Sequence, residues 1–180
     1  TITGHAIVLP QDDIDTDRII PARFLKCVTF DELGPHAFED DRKFAQEAGK
    51  IHPFDDPQFE GAKILFTGSN FGSGSSREHA VHAIAKRGIR AIVGRGNFSQ
   101  IFFGNALSNG LPATTIAPDD WESLTNAIFQ NPKEAVTVDI KEMTVRVGDI
   151  VAHANFQQET AKDVFLSGSW DTLASLLEAK

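Results

Sequence analysis

A single cysteine, Cys27, occurs in 180 residues. No disulfide can form within the chain, and one thiol cannot ligate a zinc ion or an iron–sulfur cluster. Such sparing use of cysteine fits a reducing compartment. No run of about 18 apolar residues is present to read as a membrane-spanning helix. Thr1 to Pro10 carries no secretory-signal pattern, so the expectation is a cytoplasmic protein. A basic excess is also missing. The formal charge of −8 argues against a general nucleic-acid or membrane-surface role. Internal repeats, low-complexity tracts and linkers are absent too. A chain of 180 residues suits one domain, 1–180, burying about 70% of its unfolded surface. Hydrophobic residues make up 41% and charged residues 23%, the balance of an ordinary globular protein.

The apolar pattern predicts alternating strands and helices. His5 to Leu9, ended by Pro10, reads as a strand that enters the acidic loop Asp12-Asp13-Ile14-Asp15-Thr16-Asp17. Arg18 to Phe59 is irregular and rich in proline, with Asp41 to Ala48 its best helix. Lys63 to Thr67 reads as a buried strand, Ser75 to Lys86 as a helix stopped by Gly88, and Ile89 to Val93 as a second strand. Phe98 to Ser108 follows as a helix and Leu111 to Ile116 as a third strand. Such alternation with short links specifies βαβ units and a parallel sheet layered with helices. Asp119 to Phe129 suits a further helix. Val136–Ile140 and Thr144–Val147 alternate strictly, as an antiparallel pair does, and Trp170 to Ala179 reads as a terminal amphipathic helix capped by Ser169.

Between the first buried strand and its helix lies Gly68-Ser69-Asn70-Phe71-Gly72-Ser73-Gly74-Ser75-Ser76-Arg77-Glu78-His79. Glycines admit a small ligand to backbone N–H groups, and a helix start adds orphan donors and partial positive charge. Arg77 contributes a planar fork that fits a carboxylate or phosphate. From Gly68 to Gly110 the cations Arg77, Lys86, Arg87, Arg90 and Arg95 face Glu78 alone, a locally basic segment in an acidic chain. Nucleotide readings fail on spacing. No lysine stands between Lys63 and Lys86 for a Walker loop, Arg77 fills the third glycine of a dinucleotide fingerprint, and the second strand ends in Gly94-Arg95-Gly96 without a ribose-binding acid.

Two readings of the serines stand side by side. Ser75-Ser76-Arg77-Glu78 spells a capping box, in which serine and glutamate bond the helix backbone and nothing more is needed. Alternatively Ser75, as an alkoxide stabilised by turn and helix-terminal N–H groups, removes a proton beside a carboxylate held by Arg77 and Ser76. The aspartate loop fails as an EF-hand, because Arg18 replaces the required glycine and Phe24 the terminal acid. It is either a solvated loop or a buttress in which Thr16 and Asp17 orient Arg18 or Arg23. His79 and His82, three apart on one helix, lack the further ligands a metal requires, and no metal site is expected. Phe98, Ile101, Phe102 and Leu107 are core at helical spacing.

Taken together, Gly68 to His79, Asp15-Thr16-Asp17-x-Ile19-Ile20-Pro21-x-Arg23-Phe24-Leu25, Gly94-Arg95-Gly96-Asn97-Phe98, Asn105 to Leu111 and Leu166-Ser167-Gly168-x-Trp170-Asp171 resemble one family. It is the family of 3-isopropylmalate dehydratase small subunits, swivelling-domain partners in the aconitase superfamily. The resemblance spans nearly the whole chain. It implies an α/β, swivelling β/β/α domain with a parallel βαβ core and additional antiparallel strands. It also implies isomerisation of 2-isopropylmalate to 3-isopropylmalate, by dehydration and rehydration, in leucine biosynthesis. Ser75 would be the catalytic base, and Ser76 and Arg77 would grip a substrate carboxylate. Asp15, Thr16, Asp17, Gly72 and Gly74 would support the site.

Substrate choice would fall to Phe24, Leu25, Lys26, Cys27 and Val28. The apolar members would wall an isopropyl group, whose burial contributes roughly 1.5–3 kcal/mol, and Lys26 would be able to meet an extra carboxylate. A [4Fe–4S] cluster would act as Lewis acid from the large iron–sulfur subunit, in agreement with the single cysteine here. The implied alternatives are a citraconate/methylmalate or homoaconitate hydratase small subunit. A non-catalytic module binding small anions is the reading from another class.

Overall fold

The computed structural model describes residues 1–26, 29–75 and 77–168. Strands β1 (Ile2–Gly4) and β2 (Ala6–Leu9) are separated by one residue. A short helix, α1 (Thr16–Ile19), lies in the acidic loop, and α2 spans Glu39–Glu47. The βαβ run is β3 (Ile64–Thr67), α3 (Glu78–Lys86), β4 (Ala91–Gly94), α4 (Gln100–Ser108) and β5 (Ala113–Ile116). Helix α5 (Pro118–Gln130), strands β6 (Val136–Asp139), β7 (Thr144–Val147) and β8 (Ile150–Asn155), and α6 (Ala161–Ser167) complete the described elements.

Among the described residues the strands are ordered β1-β6-β7-β8-β5-β4-β3-β2. The four from β2 to β5 are parallel, as expected of βαβ units, and the remainder are antiparallel. Strands β1 and β2 stand at opposite ends of this order, yet only His5 lies between them. Because consecutive Cα atoms are about 3.8 Å apart, the sheet must curl until its two ends meet.

That curl separates two cores. Ile7, Leu9, Leu65 and Ile92 project from one face into a cluster with Ile19, Phe71, Val81, Ile84, Phe102 and Phe103 of the helical side. Alternate residues Ala6, Val8, Ile64, Phe66, Ala91 and Val93 face the other way. They pack on Trp121, Leu124 and Ile128 of α5 and on the antiparallel strands. The parallel strands are therefore buried on both faces, and their unbroken apolar runs follow from that. The architecture is a mixed α/β fold of two packed β layers and a helical layer.

Four of the described strands and α-helices escape the sequence pattern. β1 is three residues long, α1 occupies what reads as a loop, β8 turns small alanines, Ala152 and Ala154, inward while Ile150 and Val151 are exposed, and α6 precedes the expected terminal helix. The expected terminal helix from Trp170 to Ala179 lies outside the described residues. The parallel strands β2, β3 and β4 end on one edge. Their following loops — the acidic loop, the glycine turn and Gly94-Arg95-Gly96 — meet there, at the carboxyl ends where sheets of this kind bind ligands.

Candidate active site

The acidic loop and the glycine turn run side by side, joined by backbone bonds. Asp13 N–H donates to the Ser69 carbonyl at 2.9 Å, Gly72 N–H to Ile14 at 2.8 Å and Thr16 N–H to Ser73 at 2.8 Å. Side chains repeat the pattern. Asp12 accepts from Ser69 N–H at 2.7 Å, Asp13 accepts from Asn70 Nδ2 at 2.9 Å, and the Thr16 hydroxyl donates to the Ser75 carbonyl at 2.9 Å. The third loop joins in, with Arg95 donating to Asp12 at 2.6 Å and Asn70 N–H to the Asn97 carbonyl at 2.8 Å. Glycine is needed where these chains touch. A Cβ on Gly68 would strike Asp12 and the Gln11 carbonyl, and one on Gly72, at φ +84, would strike the Phe102 ring.

This pairing corrects the expected helix start. α3 begins at Glu78 rather than Ser75, with Arg77 in extended geometry (φ −135, ψ 101) and no side chain capping the helix. The Ser75–Glu78 capping box does not form. Ser73 is drawn into a parallel bridge with Asp15, and the Ser75 carbonyl is taken by Thr16, so the backbone cannot coil there. Glu78 instead meets His82 at 3.3 Å and Asn109 at 3.2 Å. Among the described residues no side chain caps the first-turn N–H groups of α3, a favourable setting for an anion.

Ser75 is exposed, on the turn between β3 and α3. Arg77 is mostly buried, its side chain 14% exposed, and its Nη1 donates to Asp17 Oδ1 at 3.0 Å and to the Ile20 carbonyl at 3.1 Å. Asp17 therefore fixes Arg77, not Arg18 or Arg23 as the buttress reading anticipated. Arg18 pairs with Asp41 and Gln11, and Arg23 with Glu39 and Asp40. Asp17 also accepts from Ala22 N–H, Asp15 caps α1 through Arg18 N–H, and Thr16 is buried beneath Ser75. Gly74 lies at φ +90 beside Asp15.

The stretch after Pro21 lies close by, because Arg77 holds the carbonyl of Ile20. Phe24 is half-buried, its ring stacked on His36 at 4.0 Å under the Arg23 guanidinium. Leu25 is half-buried and Lys26 exposed. Ser76, Cys27 and Val28 lie outside the described residues. Sequence reasoning missed Ile20, whose carbonyl orients Arg77, along with His36 and Phe30 flanking the stretch. No local signal marks any of the three, since each acts through a partner distant in the chain. No group of three or more His, Cys, Asp or Glu able to hold a metal occurs among the described residues. None of the described helices is long and apolar enough to cross a membrane.

Residues 1–118 match the aconitase C-terminal domain. A 3-isopropylmalate dehydratase small subunit from Thermus thermophilus is 46% identical over 178 residues, 99% of this chain and 88% of that protein. The chain belongs to the 3-isopropylmalate dehydratase small-subunit family. The family member from Synechocystis is 48% identical over 98% of this chain and 86% of its own length. The crystal structure of 3-isopropylmalate dehydratase (LeuD) from Methanocaldococcus jannaschii shares the fold. Its TM-score is 0.70 over 99% of this chain and 97% of that one, at 24% identity.

Asp12 offers a test of how the loops are joined. The Ser69 N–H, followed by Arg95, holds its carboxyl below the usual carboxylate range. A carboxyl depressed in the folded state stabilises the fold above its unfolded pKa, and that contribution disappears as pH falls through the folded value. Asp12→Asn is therefore expected to melt below wild type near neutrality. The two melting curves converge on acidification to about pH 2. A gap that persists unchanged in acid contradicts the ionic role of Asp12.

Proposed function

We infer that this chain is the small subunit of a 3-isopropylmalate dehydratase, a hydro-lyase that interconverts 2- and 3-isopropylmalate in leucine biosynthesis. The observation that carries the reading is a guanidinium held from behind, two residues after the exposed Ser75. Arg77 commits Nη1 to Asp17 and Ile20, which leaves Nε and Nη2 as a fork for a substrate carboxylate. Ser76 adds a hydrogen bond to that carboxylate.

Ser75 Oγ, as an alkoxide, takes the C–H proton beside the carboxylate while the hydroxyl on the neighbouring carbon departs, so that water is lost overall. Return of that proton to the carbon that lost the hydroxyl, and of hydroxide to the carbon that lost the proton, restores one water and gives the isomer. The N–H groups at the start of α3 and the charge of Arg77 stabilise the alkoxide. Phe24, Leu25 and Lys26 lie beside the site, and together with Cys27 and Val28, which follow them in sequence, they set substrate specificity.

The donors in this chain do not fit an iron–sulfur cluster, since Cys27 is its one thiol and such clusters are held by several. We assign the [4Fe–4S] cluster to the large subunit. The openness of the site supports that division, because Gly74, Ser75, Glu78 and Lys26 are all exposed in this chain. We place the enzyme in the cytoplasm, with a dicarboxylate as substrate and neither nucleic acid nor membrane as partner. The exposed ammonium of Lys26 favours one second reading, a relative acting on a substrate with an added carboxylate, such as homoaconitate.

The test is turnover by the chain combined anaerobically with its large subunit, followed by the ultraviolet absorbance of the unsaturated acid. Ser75→Ala is expected to lower kcat about 10²–10⁴-fold, the usual contribution of a general base. Turnover within a few-fold of wild type refutes the assignment. Arg77→Lys keeps the charge but loses the fork, and it is expected to raise KM. Unchanged KM and kcat remove Arg77 from the site. A higher kcat/KM for homoaconitate than for 2-isopropylmalate favours the second reading.

A further inference from the structure

Both ends of the Phe24–Phe30 stretch are fastened beside helix α3. At the near end, Arg77 at the start of α3 holds the Ile20 carbonyl, and Phe24 stacks on His36. At the far end, Phe30 lies flat on His82, with ring centroids 3.8 Å apart and planes within 2°. The same ring meets His79 edge-on at 5.1 Å. Next to it, Asp31 pairs with Lys86 at 2.6 Å. His79, His82 and Lys86 recur at the spacing of one helix face, so α3 grips the far end along its length. His82 is itself held by Glu78 at 3.3 Å, and Glu78 by Asn109.

Phe30 remains 37% exposed, so its ring is not serving chiefly as core. The ion pair beside it is exposed on both sides, and such pairs contribute little. Buried Leu33 anchors the chain beyond Phe30, and the flat stack is the tie that lies next to the stretch itself. It also accounts for two histidines that neither metal binding nor core packing explains.

We propose that His82 and Phe30 form a positioning clasp, which holds the specificity stretch in register with Arg77 and so governs discrimination between substrate side chains. The proposal rests on the dehydratase reading above. The clasp touches no reacting atom, so its loss acts on substrate fit rather than on proton transfer. His82→Ala removes the stack, whereas His82→Phe restores an aromatic face without the imidazole.

In the complex with the large subunit, His82→Ala is expected to raise KM for 2-isopropylmalate about three- to tenfold, the range of one lost aromatic stack. Its kcat stays within about threefold. The preference for 2-isopropylmalate over its methyl analogue narrows by a similar factor, and His82→Phe recovers most of both effects. An unchanged KM and preference, a fall in kcat alone, or failure of His82→Phe to rescue overturns the clasp.

Amide hydrogen exchange over Leu25 to Phe30 in the full chain gives a readout independent of turnover. Exchange is expected to quicken severalfold in His82→Ala and to stay near wild type in His82→Phe. Unaltered exchange in His82→Ala overturns the clasp even if the wild-type complex turns over neither substrate. In that last case the dehydratase reading fails separately.

Discussion

The seam between the acidic loop and the glycine turn is the constraint on which the site depends. Two segments nearly sixty residues apart, Asp12–Asp17 and Ser69–Ser75, are zipped by backbone and carboxylate hydrogen bonds at the carboxyl edge of adjacent strands. The seam holds the turn extended, delays α3 to Glu78, and leaves its first N–H groups uncapped by any described side chain. It also carries Asp17 to Arg77. Without that seam, the local sequence would close a capping box at Ser75 and the hydroxyl would be spent on the helix.

Glycine makes so close a seam possible, and charge makes it specific. Gly68 and Gly72 allow backbone contact that any side chain would block. Asp12 and Asp13 then replace water with N–H and amide donors, and Arg95 neutralises Asp12 from the third loop. The acidic residues that look at first like a cation loop are therefore mostly committed as acceptors for the neighbouring turn. Arg77 behaves likewise. One half of its guanidinium is structural, and on our reading the other half meets substrate.

Elements with a strong local signal were legible in the sequence. β3, β4 and β5 are continuous apolar runs between turn residues, and α5 is announced by Pro118 followed by two acids in its first turn. The Gly68–His79 turn stood out as a candidate anion site because glycines, serines and an arginine coincide there. Information held in distant partners was not legible. The start of α3 was misjudged because Ser75-x-x-Glu78 is a genuine capping signal, overridden by Thr16. Asp17 looked equally able to orient Arg18 or Arg23, and only the fold shows those two bound to α2 carboxylates. β8 was hidden because its inward residues are alanines rather than branched or aromatic side chains.

On our reading Asp17 and Arg77 work as one device, the acid aligning the fork that grips the substrate carboxylate. A double-mutant cycle in the reconstituted enzyme measures this directly, comparing kcat/KM for Asp17→Ala, Arg77→Ala and the double variant. Removing Asp17 is expected to cost little once Arg77 is gone, with a coupling of about 1 kcal/mol or more. Effects that simply add would show the two residues acting independently and would contradict that reading.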